Sequence, residues 1–217
     1  MTLVEYTTPI ADIAPRVQAA RHSYEQGVTK QIVVTSFDDL VSLTALARPG
    51  PINSGAMQNW INRKKAGRSM PPLMLYPIFD PILEPTMGVI IYQEQIMQMC
   101  RAVGMEWADV IAVRKAMGKS QGLEAMRKWQ DKFVEGCGKH GIAASFAERM
   151  WIGMCEFGAY AFNKSHSVAY AMISYWCAWA KAYHPLEFAA ATLTHEKDAA
   201  KQIDILRKLE DLGIGYK

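Results

Sequence analysis

Five polar residues stand together before a long apolar run: Asn163, Lys164, Ser165, His166 and Ser167. A serine beside a histidine suggests a nucleophile and its base, but a hydrolytic triad also needs an orienting acid and an oxyanion hole. Neither serine lies in a Gly-x-Ser-x-Gly nucleophile elbow. Capping of the following helix by Asn163 or Ser165 explains the cluster better. The same helical N–H groups, with Lys164 and His166, also make an anion site, so both interpretations stay open.

A second group of cations, Arg114, Lys115 and Lys119, lies around the sequence AMGKS. A phosphate-binding P-loop needs a glycine five positions before Gly118, where Val113 stands instead. The P-loop is therefore excluded. The cations either interact with the dipole of a helix C-terminus or bind an anion.

A third basic stretch covers residues 61–68 and holds four cations and no acid: Arg63, Lys64, Lys65 and Arg68. These residues belong either to a solvated helix end or to a surface that contacts a nucleic-acid backbone. Trp60 and Trp129 stand near basic residues, where stacking on bases is conceivable. Tryptophan is more often a core residue, and we favour that interpretation for both.

Glu94 stands between Gln93 and Gln95 after a short apolar run. Its carboxylate suits a general base or an orienting acceptor. It equally suits the first turn of a helix, where an acidic residue interacts favourably with the helix dipole.

The sequence lacks carboxylate pairs with the spacing that two-metal phosphoryl transfer needs. Such sites commonly use Asp-x-Asp on a strand, with both side chains on one face, and this chain has no Asp-x-Asp. Asp38 and Asp39 are adjacent at a helix start and point apart, and Glu196 and Asp198 sit two apart on a helix. The sequence therefore predicts no metal site and no self-sufficient catalytic centre.

Helical periodicity dominates the elements that must position these residues. The strongest strand signal is the run MGVIIY at 87–92, and the prolines between 69 and 86 predict an irregular crossing. Arg48-Pro49-Gly50-Pro51 is expected to stop a helix. The fold class is therefore mainly α with at most a small β element. Helices are predicted over 36–48, 54–67, 93–104, 107–118, 122–141, 143–157, 165–184 and 196–213.

Composition is that of a soluble globular chain, with 50% apolar and 21% charged residues among 217. The net charge of +3 does not by itself indicate a nucleic-acid partner. Cysteines at 100, 137, 155 and 177 match no zinc spacing and are expected to be buried reduced thiols of a cytoplasmic protein. The most apolar run, VAYAMISYWCAWA, has 13 residues, whereas a bilayer span takes about 20.

Five blocks of the chain carry a resemblance in their order and spacing: 36–51, 84–99, 108–120, 132–142 and 157–191. Together they resemble one family, the polymerising α subunit of bacterial DNA polymerase III, a C-family replicative polymerase. The resemblance covers roughly 22–213 and falls on the fingers region, so it implies a helical fingers domain. It also implies boundaries of 1–30 for an irregular segment after the palm, 31–194 for the fingers and 195–217 for a helix toward a downstream domain.

The resemblance implies that the chain binds an incoming deoxynucleoside triphosphate and the template during DNA synthesis. Arg48, Gly50, Gln93, Glu94 and Gln95 would shape the pocket wall. Arg63, Lys64, Lys65 and Arg68 remain candidates for contact with the DNA backbone. The residues expected at the nucleotide are Arg114, Lys115, Lys119, Asn163, Lys164, Ser165 and His166. Lys115 stands where the family often has arginine. Lysine keeps the positive charge but cannot make the bidentate contact of an arginine.

The family's palm, with its aspartate triad, is not present in the sequence. The resemblance therefore implies that Mg²⁺ is held by a palm-bearing partner chain and that this chain alone is inactive. Primer–template DNA, deoxynucleoside triphosphates and other replisome proteins are the expected partners, in the cytoplasm of a bacterial or phage-infected cell. The alternative is a non-catalytic decoy or regulatory module that binds nucleotide, DNA or a replisome protein, and a decayed polymerase fragment is a third interpretation.

Overall fold

The computed structural model describes residues 34–67, 76–118, 126–158, 161–211 and 213. Over these ranges the chain is helical, which confirms the predicted mainly α class. Short 3-10 turns cover Glu84–Thr86 and Arg127–Trp129. The α-helices are α1 Phe37–Leu46, α2 Pro49–Asn53, α3 Ala56–Ala66, α4 Asp80–Leu83, α5 Gln93–Ala102, α6 Trp107–Gly118, α7 Gln130–Lys139, α8 Ala144–Gly158, α9 Lys164–Tyr183, α10 Pro185–His195 and α11 Ala199–Asp211.

The strand predicted over 87–92 is wrong. Met87 and Gly88 adopt positive φ angles of 56° and 76°, so the chain turns where a strand would have to be extended. Within the described ranges the β structure is an isolated parallel bridge between Tyr92 and Phe162. An apolar run of this length marks burial, and Val89, Ile91 and Tyr92 are indeed buried.

Two of the described helices begin at a proline. Helix α1 ends at Leu46, as expected from the following Arg48-Pro49-Gly50-Pro51. The short helix α2 then begins at Pro49, because proline suits the first position of a helix. Pro185 likewise begins α10, which was not predicted.

The chain divides into two compact units, one formed by Asp38–Ala169 and the other by Met1–Phe37 with Tyr170–Lys217. The first unit holds an apolar cluster whose members come from the segments between 79 and 155. Phe133 lies at its centre, with ring centroids 6.4 Å from Phe79 and 5.2 Å from Trp151. Helix α7 approaches the end of α5 closely, since a Cβ on Gly136 would lie 2.2 Å from the Val103 carbonyl oxygen.

In the second unit, the described residues carry several exposed apolar side chains on α9, α10 and α11: Tyr170, Met172, Ile173, Trp176, Tyr183, Leu186 and Ile203. Cys177 is also exposed, which corrects the expectation that all four cysteines are buried. Cys100, Cys137 and Cys155 are buried in the first unit. Among the described helices, none is both long and apolar enough to cross a membrane.

Candidate functional site

Two sequence motifs 70 residues apart meet at the bridge between Tyr92 and Phe162. The Gln93 amide donates to the Phe162 carbonyl at 3.0 Å, and the Phe162 amide donates to the Ile91 carbonyl at 3.3 Å. The Gln93 side chain adds a hydrogen bond to the Ala161 carbonyl at 3.2 Å. The start of α5 is therefore fixed against the segment that precedes α9.

Glu94, in the first turn of α5, contacts the start of α9 with both carboxylate oxygens. Oε1 accepts from the Asn163 side-chain amide and Oε2 accepts from the Lys164 backbone amide, each at 3.0 Å. A carboxylate that accepts from a helix N-terminus is stabilised by the helix dipole as well as by the hydrogen bond itself.

Asn163 is the N-cap of α9, which confirms the capping interpretation. Its side-chain oxygen accepts from the His166 amide at 2.9 Å, and its backbone carbonyl accepts from the Ser167 amide at 3.1 Å. Ser165 lies exposed in the first turn. We call residues 163–166 "the α9 turn". The hydrogen bonds of Asn163 connect the two ends of this segment.

Phe162, directly before this turn, is contacted by two predicted site residues. The Arg48 guanidinium lies 4.1 Å from the centre of its ring, and the His166 ring lies 5.2 Å away. Arg48 is also held by a hydrogen bond from Nε to the Ala45 carbonyl at 2.9 Å. Desolvation by the surrounding protein lowers the pKa of Arg48 from its ordinary value. Gly50 lies half-buried in the adjacent α2.

Gln95 is buried and its side chain makes four hydrogen bonds. Its Oε1 accepts from the amides of Ile91 and Tyr92 at 2.7 and 2.9 Å. Its Nε2 donates to the Ile82 carbonyl at 3.0 Å and to the Thr86 hydroxyl at 2.7 Å. Gln95 therefore supports the chain behind the site and does not face outward.

Tyr92 and Ser167 connect the site to α1. The Tyr92 hydroxyl lies 3.3 Å from the Ser42 hydroxyl, and burial is the main cause that raises the pKa of Tyr92 to about 12. The Ser167 hydroxyl donates to the Val41 carbonyl at 2.6 Å. The Lys164 ammonium, on an exposed residue, lies 5.6 Å from the centre of the Tyr92 ring.

Arg114 and Lys115 lie exposed near the C-terminal end of α6. The opposite face of the helix is buried through Val110, Val113 and Ala116. The described contacts include no hydrogen bond or ion pair that joins Arg114 or Lys115 to the α9 turn. Lys119 lies outside the described residues.

The cations of the basic stretch in α3 differ in the contacts that they make. Lys64 forms an ion pair with buried Asp39 at 2.6 Å. Arg63 donates to the Met87 carbonyl at 3.3 Å and to the Asn59 side chain at 2.9 Å. Lys65 is exposed, whereas Arg68 lies outside the described residues. Trp60 and Trp129 are buried, as expected for core residues.

Glu94 is a carboxylate at the α9 turn, and each of its oxygens accepts a hydrogen bond from an N–H group. A Mg²⁺ site needs several oxygen ligands in near-octahedral geometry. In the described part of the chain, no group of three or more histidine, cysteine or acidic side chains is arranged to hold a metal ion.

Sequence reasoning gave Phe162 no role of its own and considered Ser167 only as a possible nucleophile, not as a residue that supports this site. Both are explained by the packing of distant segments, Phe162 against Arg48 and Ser167 against Val41. One feature of the sequence could have indicated Phe162: it directly precedes a helix cap. An apolar residue at that position often packs against the helix and fixes the angle at which the chain enters it.

Comparisons with known proteins agree on one family. Residues 23–141 match the model of the bacterial DNA polymerase III alpha subunit finger domain. The DNA polymerase III subunit alpha of Aquifex aeolicus is 39% identical over 185 residues, which is 85% of this chain and 16% of that protein. The corresponding protein of Escherichia coli K12 is 40% identical over 80% of this chain, and that of Pseudomonas aeruginosa is 42% identical over 76%.

The alignments leave most of each relative uncovered. They span 15% of the Escherichia coli protein and 14% of the Pseudomonas aeruginosa protein. The chain therefore corresponds to a limited region of these much longer proteins.

Proposed function

Because the chain belongs to the family of bacterial DNA polymerase III alpha subunit finger domains, we propose that it acts as a fingers module in template-directed DNA synthesis. It binds the incoming deoxynucleoside triphosphate and the template. The catalytic aspartates and their Mg²⁺ belong to a separate palm-bearing chain, in the cytoplasm of a bacterial or phage-infected cell. Alone, this chain is inactive.

The observation that carries the proposal is the meeting of three distant motifs around Phe162. Arg48 lies over its ring, Gln93 bonds to its carbonyl, and the α9 turn follows it directly. Core packing alone does not require polar residues from three separate parts of a sequence to converge beside exposed cations. A binding site does, because orientation and charge must be fixed together.

Lys164 and His166 are the side chains here that can contact an anionic ligand, since both lie exposed at the N-terminal end of α9. A triphosphate carries dense negative charge, and cations fixed before it binds stabilise that charge without reorganisation. Arg114 and Lys115 supply further exposed positive charge within the same unit. We assign the α9 turn to the sugar and phosphates and the end of α6 to the triphosphate.

The contacts of two carboxylates support the palm-dependent part of the proposal. Glu94 accepts from Asn163 and Lys164, and Asp39 pairs with Lys64. When present on a partner, Mg²⁺ supplies the Lewis-acid chemistry of nucleotidyl transfer. The residues of this chain bind and orient the nucleotide and close over a correct pair.

Primer extension with purified components tests the proposal. The chain is assayed alone, with a candidate palm chain, and with that palm chain plus the variant Lys164→Ala. We expect extension only when both chains are present, and weaker extension with the variant. Robust extension by this chain alone would contradict the proposed division of labour. Nucleotide or DNA binding without stimulation by any palm chain would favour the decoy.

A further inference from the structure

We propose that Glu94 is a positioning residue for nucleotide binding, and that its carboxylate holds the α9 turn in the conformation that receives the triphosphate. The inference rests on the proposed function and deepens it. It assigns Glu94 no contact with the nucleotide and no proton transfer.

The first argument is the geometry of the two hydrogen bonds. Each oxygen of Glu94 accepts from a different donor at 3.0 Å, one on the Asn163 side chain and one on the Lys164 backbone. Two bonds in different directions fix the position and orientation of the turn, whereas one bond would leave it free to rotate. The turn is also capped from within by Asn163, so the carboxylate acts on a preformed unit.

The second argument is the rigidity of the element that carries Glu94. Its two neighbours are bonded to other parts of the chain. Gln93 bonds to the Ala161 carbonyl, and the buried Gln95 bonds to Ile82 and Ile91. The carboxylate is therefore presented from a fixed backbone. A fixed carboxylate can transmit order to the α9 turn because little conformational freedom remains to be lost.

A general-base role agrees less well with these contacts. A base must be free to take a proton from a reacting group, and each oxygen of Glu94 is already engaged by an N–H donor. The contacts favour an orienting acceptor, which was one of the three interpretations that the sequence left open.

A competing role makes the opposite prediction. The carboxylate occupies the Lys164 amide at a helix N-terminus, which is a position that a phosphate could also use. If Glu94 were an internal competitor for that position, removing it would tighten nucleotide binding. If it positions the turn, removing it weakens binding.

Two substitutions and a matched control separate these outcomes. Glu94→Ala removes both acceptors, whereas Glu94→Gln keeps one acceptor oxygen and the shape. Glu148→Ala removes an exposed acid elsewhere in the same unit. The dissociation constant for dATP with Mg²⁺ is measured with the full-length chain and, in parallel, with the palm-bearing complex.

We expect Glu94→Ala to weaken dATP binding about tenfold, Glu94→Gln to recover part of the loss, and Glu148→Ala to match the unmodified chain. In primer extension the change should appear mainly in KM, because a displaced turn impairs binding more than the chemical step. Unchanged or tighter dATP binding by Glu94→Ala would overturn the proposal.

Amide hydrogen exchange at Lys164 provides a readout that does not depend on nucleotide. Glu94→Ala should speed exchange there while leaving the buried amides of α7 protected, which excludes general unfolding. Unchanged exchange at Lys164 would overturn the positioning role even if nucleotide binds. Failure of the unmodified chain to bind dATP, alone or in the complex, would instead count against the proposed function.

Discussion

The α9 turn and the end of α6 both present positive charge, but they hold it in opposite ways. At the α9 turn, Lys164 follows an N-cap and its backbone is bonded to Glu94. At the end of α6, Arg114 and Lys115 are exposed, and the helix face opposite them is apolar and buried. One region is ordered by polar contacts and the other by burial.

The difference indicates how a nucleotide would meet each region. The backbone of the α9 turn loses little freedom on binding, because its amides are already hydrogen-bonded, so the turn can define where the ligand lies. The long side chains of Arg114 and Lys115 must be ordered by the ligand, at a cost of up to about 2 kcal/mol each in rotamer entropy. We therefore expect the turn to set geometry and α6 to contribute charge. The following substitutions test that contrast.

Gly136→Ala should have the largest effect, and it tests the apolar cluster that includes Val103 and the buried face of α6. The new methyl group would lie 2.2 Å from the Val103 carbonyl oxygen, between α5 and α6. Because this contact is with backbone, α7 must move away. We expect the free energy of unfolding to fall by about 3 kcal/mol in urea titrations.

Gly138→Ala is its matched control in the same helix. A Cβ there would meet nothing within 4 Å, so alanine should stabilise the helix by about 0.5–1 kcal/mol. Equal stability of the two variants would show that the close approach of α7 to Val103 is not a constraint.

Gln95→Ala tests the region ordered by polar contacts. The substitution leaves the amides of Ile91 and Tyr92 without their buried acceptor. We expect a loss of about 2–3 kcal/mol in stability, the cost of unsatisfied buried groups. Gln98→Ala, at an exposed position of the same helix, should change stability by less than about 0.5 kcal/mol. A small effect at Gln95 would mean that the support behind the α9 turn is apolar packing instead.

Substitution of two adjacent lysines on α3 distinguishes a residue that stabilises the fold from a residue that contacts DNA. Lys64→Ala removes the cation that pairs with buried Asp39 at 2.6 Å, so stability should fall by about 2 kcal/mol. Lys65→Ala, at an exposed residue, should leave stability unchanged and reduce the salt dependence of DNA binding by about one ion. The reverse pattern in thermal unfolding and salt titrations would exchange these two roles.

Much of the architecture could be predicted, because helical periodicity and capping are local. The bounds of α6 were predicted at 107–118 and observed at Trp107–Gly118. The cap at Asn163 was one of two candidates, and the structure selects it. The run at 87–92 was mistaken for a strand because buried apolar runs look alike in sequence, whatever their backbone conformation.

The arrangement of the site could not be predicted from local patterns. Glu94 and Asn163 are 69 residues apart, and no periodicity indicates that their side chains meet. The same holds for Arg48 over Phe162. Such contacts depend on how helices pack, whereas the resemblance to a known family indicated only which residues belong to one site.

The affinity of the chain for a deoxynucleoside triphosphate tests the central claim most directly. Equilibrium titration with dATP and Mg²⁺ compares the unmodified chain with Lys164→Ala and Arg114→Ala, each matched for folding by thermal unfolding. We predict that the unmodified chain binds and that each variant binds about tenfold more weakly, the effect of losing one charge-assisted contact. Equal affinity in all three proteins would contradict the assignment of both regions to nucleotide binding.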